Sequence, residues 1–148
     1  DTLARIAELP NIVGVKEASG NINQMMEVIA TIKSKKPDFA VLSGDDALTL
    51  PLISVGGDGI ISVVSNLEPA AVVEMAHKAL EGDFDAARKA HYKLLPFFKA
   101  AFVDGNPTSI KYAMSVKGMP SGPCRLPLAE VNDGAKKVIE DALKECGL

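Results

Sequence analysis

Lys16 closes the run Ile12-Val13-Gly14-Val15-Lys16, and its placement suits carbonyl chemistry. If that run is a strand, side chains alternate: Ile12, Gly14 and Lys16 share one face, Val13 and Val15 the other. Lys16 then stands last on its face, at the C-terminal end of a strand apolar enough to be covered on both sides. Ligands of α/β folds bind at that end, and in barrels the catalytic groups stand there. Beside an apolar approach an ammonium loses hydration, which favours the neutral amine that attacks a carbonyl carbon. The alternative is a solvated lysine that merely ends a strand, since lysine is seldom fully buried. Residue type and spacing leave both readings open.

Ser43-Gly44-Asp45-Asp46 offers two carboxylates, a donor set for a metal ion or a shared proton. Adjacent strand residues face opposite ways, so the expected role is to cap a helix starting near Ala47. Gly44, at the C-terminal end of a strand, leaves room for a ligand to approach the backbone. Gly56-Gly57-Asp58-Gly59 has the composition of a phosphate loop but precedes a strand, whereas the dinucleotide fingerprint follows one and opens a helix. A tight turn is expected there. His77 and His91 fall within helical patterns, where packing or solvation is the expected role. Cys124 and Cys146 lie far apart, with no CxxC or Cys/His spacing. No metal site, disulfide framework or cofactor is therefore expected.

The elements that must position these residues come in a repeating order. Ile12–Val15, Phe39–Leu42 and Ile60–Val64 are short, nearly continuous apolar runs, as in strands of a parallel sheet covered on both faces. A helical stripe follows the first run at Ile22, Met25, Met26, Ile29 and Ile32, capped by Asn21 or Asn23 and stopped by Pro37. A short helix over Ala47–Val55 follows the second run. After the third, Asn66 is the expected cap, Pro69 sits in the first turn, and Val72, Val73, Ala76, Ala79 and Leu80 face inward until Gly82. Residues 1–82 thus read as three βα units, which demand right-handed parallel crossovers. Residues 83–148 read as helices alone. One carries Phe84, Ala87, His91, Leu94, Leu95 and Phe98, with a kink expected at Pro96. A second runs from Asn106-Pro107 to about Val116, and Gly118–Pro123 reads as a loop. A last helix turns Val138, Ile139, Ala142 and Leu143 inward and closes on Gly147.

The chain has 148 residues, 47% apolar and 24% charged, with a net charge of -3. That balance suits a globular domain and gives no reason to expect nucleic acid or an anionic membrane surface as a partner. No apolar run reaches the roughly 18 residues of a membrane span, and no signal peptide is visible, so a reducing cytoplasm is expected. The chain opens on Asp1-Thr2-Leu3 without a methionine, its first evident element is a buried strand, and it reads as a piece of something longer.

Five motifs in order resemble the dihydrodipicolinate synthase family of pyruvate-dependent class I aldolases. They are Gly14-Val15-Lys16-Glu17-Ala18-Ser19-Gly20-Asn21, Ser43-Gly44-Asp45-Asp46, the Gly56–Ser62 segment, Asn106-Pro107-Thr108-Ser109-Ile110-Lys111, and Arg125-Leu126-Pro127-Leu128. The resemblance covers nearly the whole chain. It implies an α/β fold, the last three βα units of a (β/α)8 barrel followed by a three-helix extension. It also implies that Lys16 forms a Schiff base with pyruvate and that the resulting enamine attacks aspartate semialdehyde. Ile61 would line the pyruvate site through its backbone, with Gly44 beside it. The family is usually homotetrameric, which implies a homo-oligomer. Its Thr-Thr-Gly segment, its Tyr-Asn-x-Pro motif and a nearby arginine have no counterpart here, and the Asn-Pro segment lacks a second proline common in the family. Two rival readings differ in class: another pyruvate-lysine aldolase, such as an N-acetylneuraminate lyase or a keto-deoxy-sugar-acid aldolase, or a non-catalytic half-barrel used for assembly.

Overall fold

Three parallel strands, β1 (Gly14–Glu17), β2 (Ala40–Ser43) and β3 (Gly59–Ile60), lie side by side in the order β1-β2-β3 in a computed structural model, which describes residues 1–148. Lys16 is in register with Leu42, and Leu42 with Gly59. The ladder runs one residue beyond the strand ends, because Gly44 N–H donates to the Glu17 carbonyl at 2.7 Å and Ile61 N–H to that of Ser43 at 2.8 Å. Each crossover is helical, as the apolar runs and their spacing predict.

The structure departs from the sequence reading in several places. A helix, α1 (Thr2–Ala7), precedes the first strand, so the chain does not open on a strand. Lys36 reaches back to its end, donating to the carbonyls of Ala7 at 3.2 Å and Ile12 at 2.7 Å. The next helix, α2 (Ile22–Val28), starts at Asn21, whose side chain accepts from the backbone of Asn23 at 3.0 Å and Gln24 at 3.4 Å. It passes into a π turn, Ile29–Lys33. Met25, Val28 and Ile32 are buried while Met26 is exposed. Neighbours on a helix point about 100° apart, and this layer buries only one side.

After β2, a 3-10 turn (Asp46–Leu48) leads into α3 (Thr49–Ser54). The third strand is much shorter than Ile60–Val64. It has a neighbour on one side only, and the Val63 N–H goes to the Asp46 carboxylate at 3.0 Å instead of to a ladder. Residues 64–66 form a 3-10 turn in which the Asn66 amide donates to the Val63 carbonyl at 2.9 Å. Asn66 is therefore not a helix cap. Glu68 precedes α4 (Pro69–Leu80), with Pro69 in the first turn. Val73 and Leu80 point to solvent and Met75 is buried in their stead.

The remainder is helical, as expected: α5 (Phe84–Ala100), which runs on past Pro96, α6 (Thr108–Val116) and α7 (Asp133–Cys146). Asn132 caps α7 by accepting from Ala135 N–H at 3.0 Å, and Gly147, at φ 71°, terminates it in the left-handed conformation that glycine adopts without strain. Ile139, Ala142 and Leu143 are inward, whereas Val138 is exposed.

One core joins Leu94, Phe97 and Phe98 of α5 to Ile139 of α7, Met75 of α4 and Val64 beyond β3. A second packs Met25, Phe39, Val41 and Leu52 between the helices and one face of the sheet. The other face presents Gly14, Lys16, Ala40, Leu42 and Ile61. Lys16 and Ile61 are exposed on it. Strands expected to be covered on both faces are thus covered on one by this chain.

His91 is buried against the rings of Tyr92 and Phe98, and its Nδ1 has no hydrogen-bond partner. Burial disfavours the charged ring and holds its pKa below the ordinary 6.5. The unfolded chain therefore takes up this proton first as pH falls. The contribution is complete above pH 6.5 and is lost as pH drops toward the folded value. Urea unfolding of His91→Leu between pH 7 and 5 (values spanning that ordinary pKa, ~6.5) should show a smaller loss of stability than the wild type. Equal losses would show that His91 does not set this dependence.

Candidate functional site

The parallel register brings three expected residues to one place. Lys16 stands on β1, Gly44 follows β2 and Ile61 follows β3. Because Lys16 pairs with Leu42, Gly44 lies two residues further along the same face, and Ile61, two beyond Gly59, shares it. All three therefore lie at the C-terminal edge of the sheet, facing the same way.

Gly44 is explained by close approach. A Cβ there would stand 2.7 Å from Lys16 Cε, 3.1 Å from its Cγ and 2.5 Å from the Ala18 methyl. The lysine stem thus passes over the glycine backbone, and the room that the sequence reserves for a ligand is taken in part by Lys16 itself. The amine end is exposed, so these residues alone do not supply a dry approach. Ile61 N–H is committed to Ser43, whereas its carbonyl has no partner within the chain. A backbone acceptor without a partner in the chain and an exposed primary amine lie at the same strand-end edge, which suits a small carbonyl compound better than a metal ion. No group of three or more His, Cys, Asp or Glu side chains is arranged to hold a metal. His77, exposed on α4, and His91, inside α5, take no part in the strand-end cluster.

Two carboxylates support the site from behind, and sequence reading missed both roles. Glu17 follows Lys16 and so points to the opposite, helix-covered face. It is buried, and one oxygen accepts from Ser19 N–H at 3.0 Å and from the Gln24 side chain at 2.8 Å. The other oxygen has no partner. Strict alternation along β1 was the signal that would have placed Glu17 inside. The paired aspartates divide their work. Asp45 caps the following turn, accepting from Ala47 N–H at 2.9 Å, as expected. Asp46 takes no part in that cap. It is fully buried and accepts from the Ser62 hydroxyl and from Val63 N–H. Burial pushes its carboxyl above the ordinary 3.8, and hydrogen bonding to Ser62 and to the backbone of Val63 and Val64 opposes that rise.

Beside Lys16 and Glu17 a recess of about 430 Å³ opens between the start of α1 and α2, with Thr2, Gln24 and Glu27 in its wall. A larger recess, of about 490 Å³, lies away from the strand ends, against Lys111, Tyr112 and Lys136. There Lys111 donates to the Pro123 carbonyl at 2.8 Å, tying α6 to the loop that leads to Arg125.

A family model described as the dihydrodipicolinate synthetase family matches residues 1–146. A protein of Protochlamydia amoebophila named 4-hydroxy-tetrahydrodipicolinate synthase is 51% identical over 144 residues, 97% of this chain and 48% of that protein. One of the same name from Methanocaldococcus jannaschii is 49% identical over 141 residues, 95% of this chain and 47% of its own length. Among solved structures, dihydrodipicolinate synthase from Thermotoga maritima superposes with a TM-score of 0.93 at 40% identity, over 99% of this chain and 50% of that one. That of Aquifex aeolicus does so with a TM-score of 0.91 at 40% identity, over 100% and 50%. The chain spans about half the length of the curated relatives it matches.

The close pass at Gly44 has a measurable consequence. Gly44→Ala must push aside both the Ala18 methyl and the Lys16 stem, an overpacking expected to cost about 1–3 kcal/mol. Urea denaturation should show that loss. Unchanged stability would mean that the lysine stem yields freely.

Proposed function

The chain belongs to the dihydrodipicolinate synthetase family, and on that premise we propose that it provides the amine-bearing half of a pyruvate-dependent aldolase. The convergence of Lys16, Gly44 and Ile61 at the strand ends carries this reading. The Lys16 amine adds to the ketone carbon of pyruvate, and the carbinolamine loses water to give an iminium. This cation draws electrons from the neighbouring methyl group, which loses a proton to leave a nucleophilic enamine. The enamine carbon bonds to the aldehyde carbon of aspartate semialdehyde, whose oxygen takes up a proton. Bond formation turns the enamine back into an iminium. The amino group of the aspartate semialdehyde portion adds to that iminium carbon and closes a ring. The carbon–nitrogen bond to Lys16 then breaks with proton transfer to the departing amine, which is thereby regenerated. Ile61 contributes its free carbonyl to the wall of the pyruvate pocket, and Gly44 leaves the passage open for the lysine stem. No cofactor is needed, because the iminium itself is the electron sink.

The acceptor follows from the relatives' names, which support the synthase reading over a sugar-acid aldolase sharing the same lysine chemistry. The uncovered sheet face and the half-length match support a second half, closing a (β/α)8 barrel of which residues 1–82 are the last three units and 83–148 the helical extension. That half would carry the remaining substrate contacts. Assembly as a homotetramer and residence in the cytoplasm complete the proposal. For localisation the chain itself contributes one observation: no helix is long and apolar enough to cross a membrane.

Borohydride reduction in the presence of pyruvate, followed by peptide mass mapping, tests the assignment on the natural-length polypeptide that carries this sequence. A pyruvyl adduct is expected on the peptide containing Lys16, and Lys16→Arg should abolish it, with turnover falling by at least about 10²-fold. An adduct elsewhere, or none from folded protein, would refute the role of Lys16. The 148-residue chain alone is expected to turn over no pyruvate with aspartate semialdehyde, and measurable turnover would refute the need for a second half.

A further inference from the structure

We propose that Asp46 is the positioning residue that sets the pyruvate-facing carbonyl of Ile61, an inference that rests on the reading above and deepens it. β3 is two residues long and has a neighbour on one side only. Its ladder ends at the Ile61 N–H, held by the Ser43 carbonyl at 2.8 Å. Beyond that point nothing in the sheet fixes the chain, and yet Ile61 must present a carbonyl in a constant direction to serve as a wall of a small binding site.

Asp46 supplies the missing restraint. Each of its oxygens takes one donor from the two residues directly after Ile61, the Ser62 hydroxyl and the Val63 N–H, the latter at 3.0 Å. The Ser62 hydroxyl oxygen in turn accepts from Ser65 N–H at 2.8 Å, which fastens the following 3-10 turn. The Ile61–Ser62 peptide is thereby gripped from both sides, by β2 before it and by Asp46 after it. Its carbonyl is left without a partner in the chain. A helix-capping role does not account for Asp46, because Asp45 already fills it at Ala47. Burying a carboxylate completely is costly, and it is sustained here by donors that come only from the strand-end segment. The Ser43-Gly44-Asp45-Asp46 run thus does four separate jobs in four residues: ladder, passage for the lysine, cap of the following turn, and grip on the third strand.

The test uses the natural-length polypeptide with Asp46→Asn, which keeps the shape and one acceptor, and Ser62→Ala, which removes one donor. Circular dichroism and thermal midpoints first establish folding. Borohydride trapping at Lys16 is then titrated with pyruvate, and steady-state rates are measured with both substrates. The expected result for Asp46→Asn is a half-saturating pyruvate concentration raised about tenfold, the worth of one buried hydrogen bond to a charged group. Trapping at saturation and the KM for the aldehyde should stay within about twofold, a split that a general loss of stability does not produce. Ser62→Ala should raise the pyruvate requirement in the same direction by a smaller factor, and it decides the matter if Asp46→Asn does not fold. Folded variants that titrate pyruvate like the wild type would overturn the role of Asp46 and leave Lys16 chemistry standing. A wild type that forms no adduct would overturn the underlying reading, and this inference with it.

Discussion

A parallel sheet brings the C-terminal ends of all its strands to one edge, and the candidate site of this chain depends on that. The register Lys16–Leu42–Gly59 is what makes Lys16, Gly44 and Ile61 neighbours, although they are spread from residue 16 to residue 61. A slip of one residue in β2 would turn Gly44 to the helix side and put the Asp45 or Ser43 side chain against the lysine stem. The register itself is held at its far end by a turn. Asp58 accepts from the Val41 N–H at 2.8 Å and pairs with Lys33, which also donates to the Gly56 carbonyl at 3.0 Å. The glycine-rich stretch before β3 is thus a clamp on the start of the strand and has nothing to do with phosphate.

The helical extension serves the same edge from a distance. Val63, Val64 and Leu67, just beyond Ile61, are buried in the core formed by α5, α6 and α7. The segment that leaves β3 is therefore pinned by Asp46 on the polar side and by Leu94, Phe97 and Ile139 in the apolar core. Burial of side chains of this size contributes about 1.5–3 kcal/mol each. A two-residue strand with one neighbour would have little persistence without both.

The βα alternation, the all-helical remainder and the strand-end lysine were legible because they rest on local rules: apolar runs, helical stripes, and glycine or proline at the breaks. Misplacements came where a tertiary contact overrode the pattern. Val73, Leu80 and Val138 are apolar and on or near the expected stripe, but they are exposed because no partner layer reaches that side of their helices. Asn66 resembles a cap, but its amide is drawn to Val63, and the third strand is cut short because Asp46 claims the Val63 N–H. That last contact spans seventeen residues, and nothing local announces it. In the candidate site, the residues facing the open surface could be read from alternation together with the family resemblance. The carboxylates behind it could not, since an Asp-Asp pair before a helix reads as capping until the fold shows which of the two is buried.

Three unfinished features lie around β1 and the sheet face that it shares. The face bearing Lys16 and Ile61 is uncovered, with Ile61 48% exposed despite its apolar side chain. β1 has a strand on one side only, which leaves its outer backbone groups without a ladder. Glu17 keeps a buried oxygen without a donor, next to the recess beneath α1. A buried unpaired carboxylate oxygen is costly in a finished core, and an exposed apolar face beside it compounds the cost. A further strand alongside β1 would remedy all three at once: it would pair the free edge, bring an N–H or side-chain donor to Glu17, and begin the wall that dries the approach to Lys16. The half-barrel proposal accounts for these features together, where a self-sufficient small domain would need a separate explanation for each.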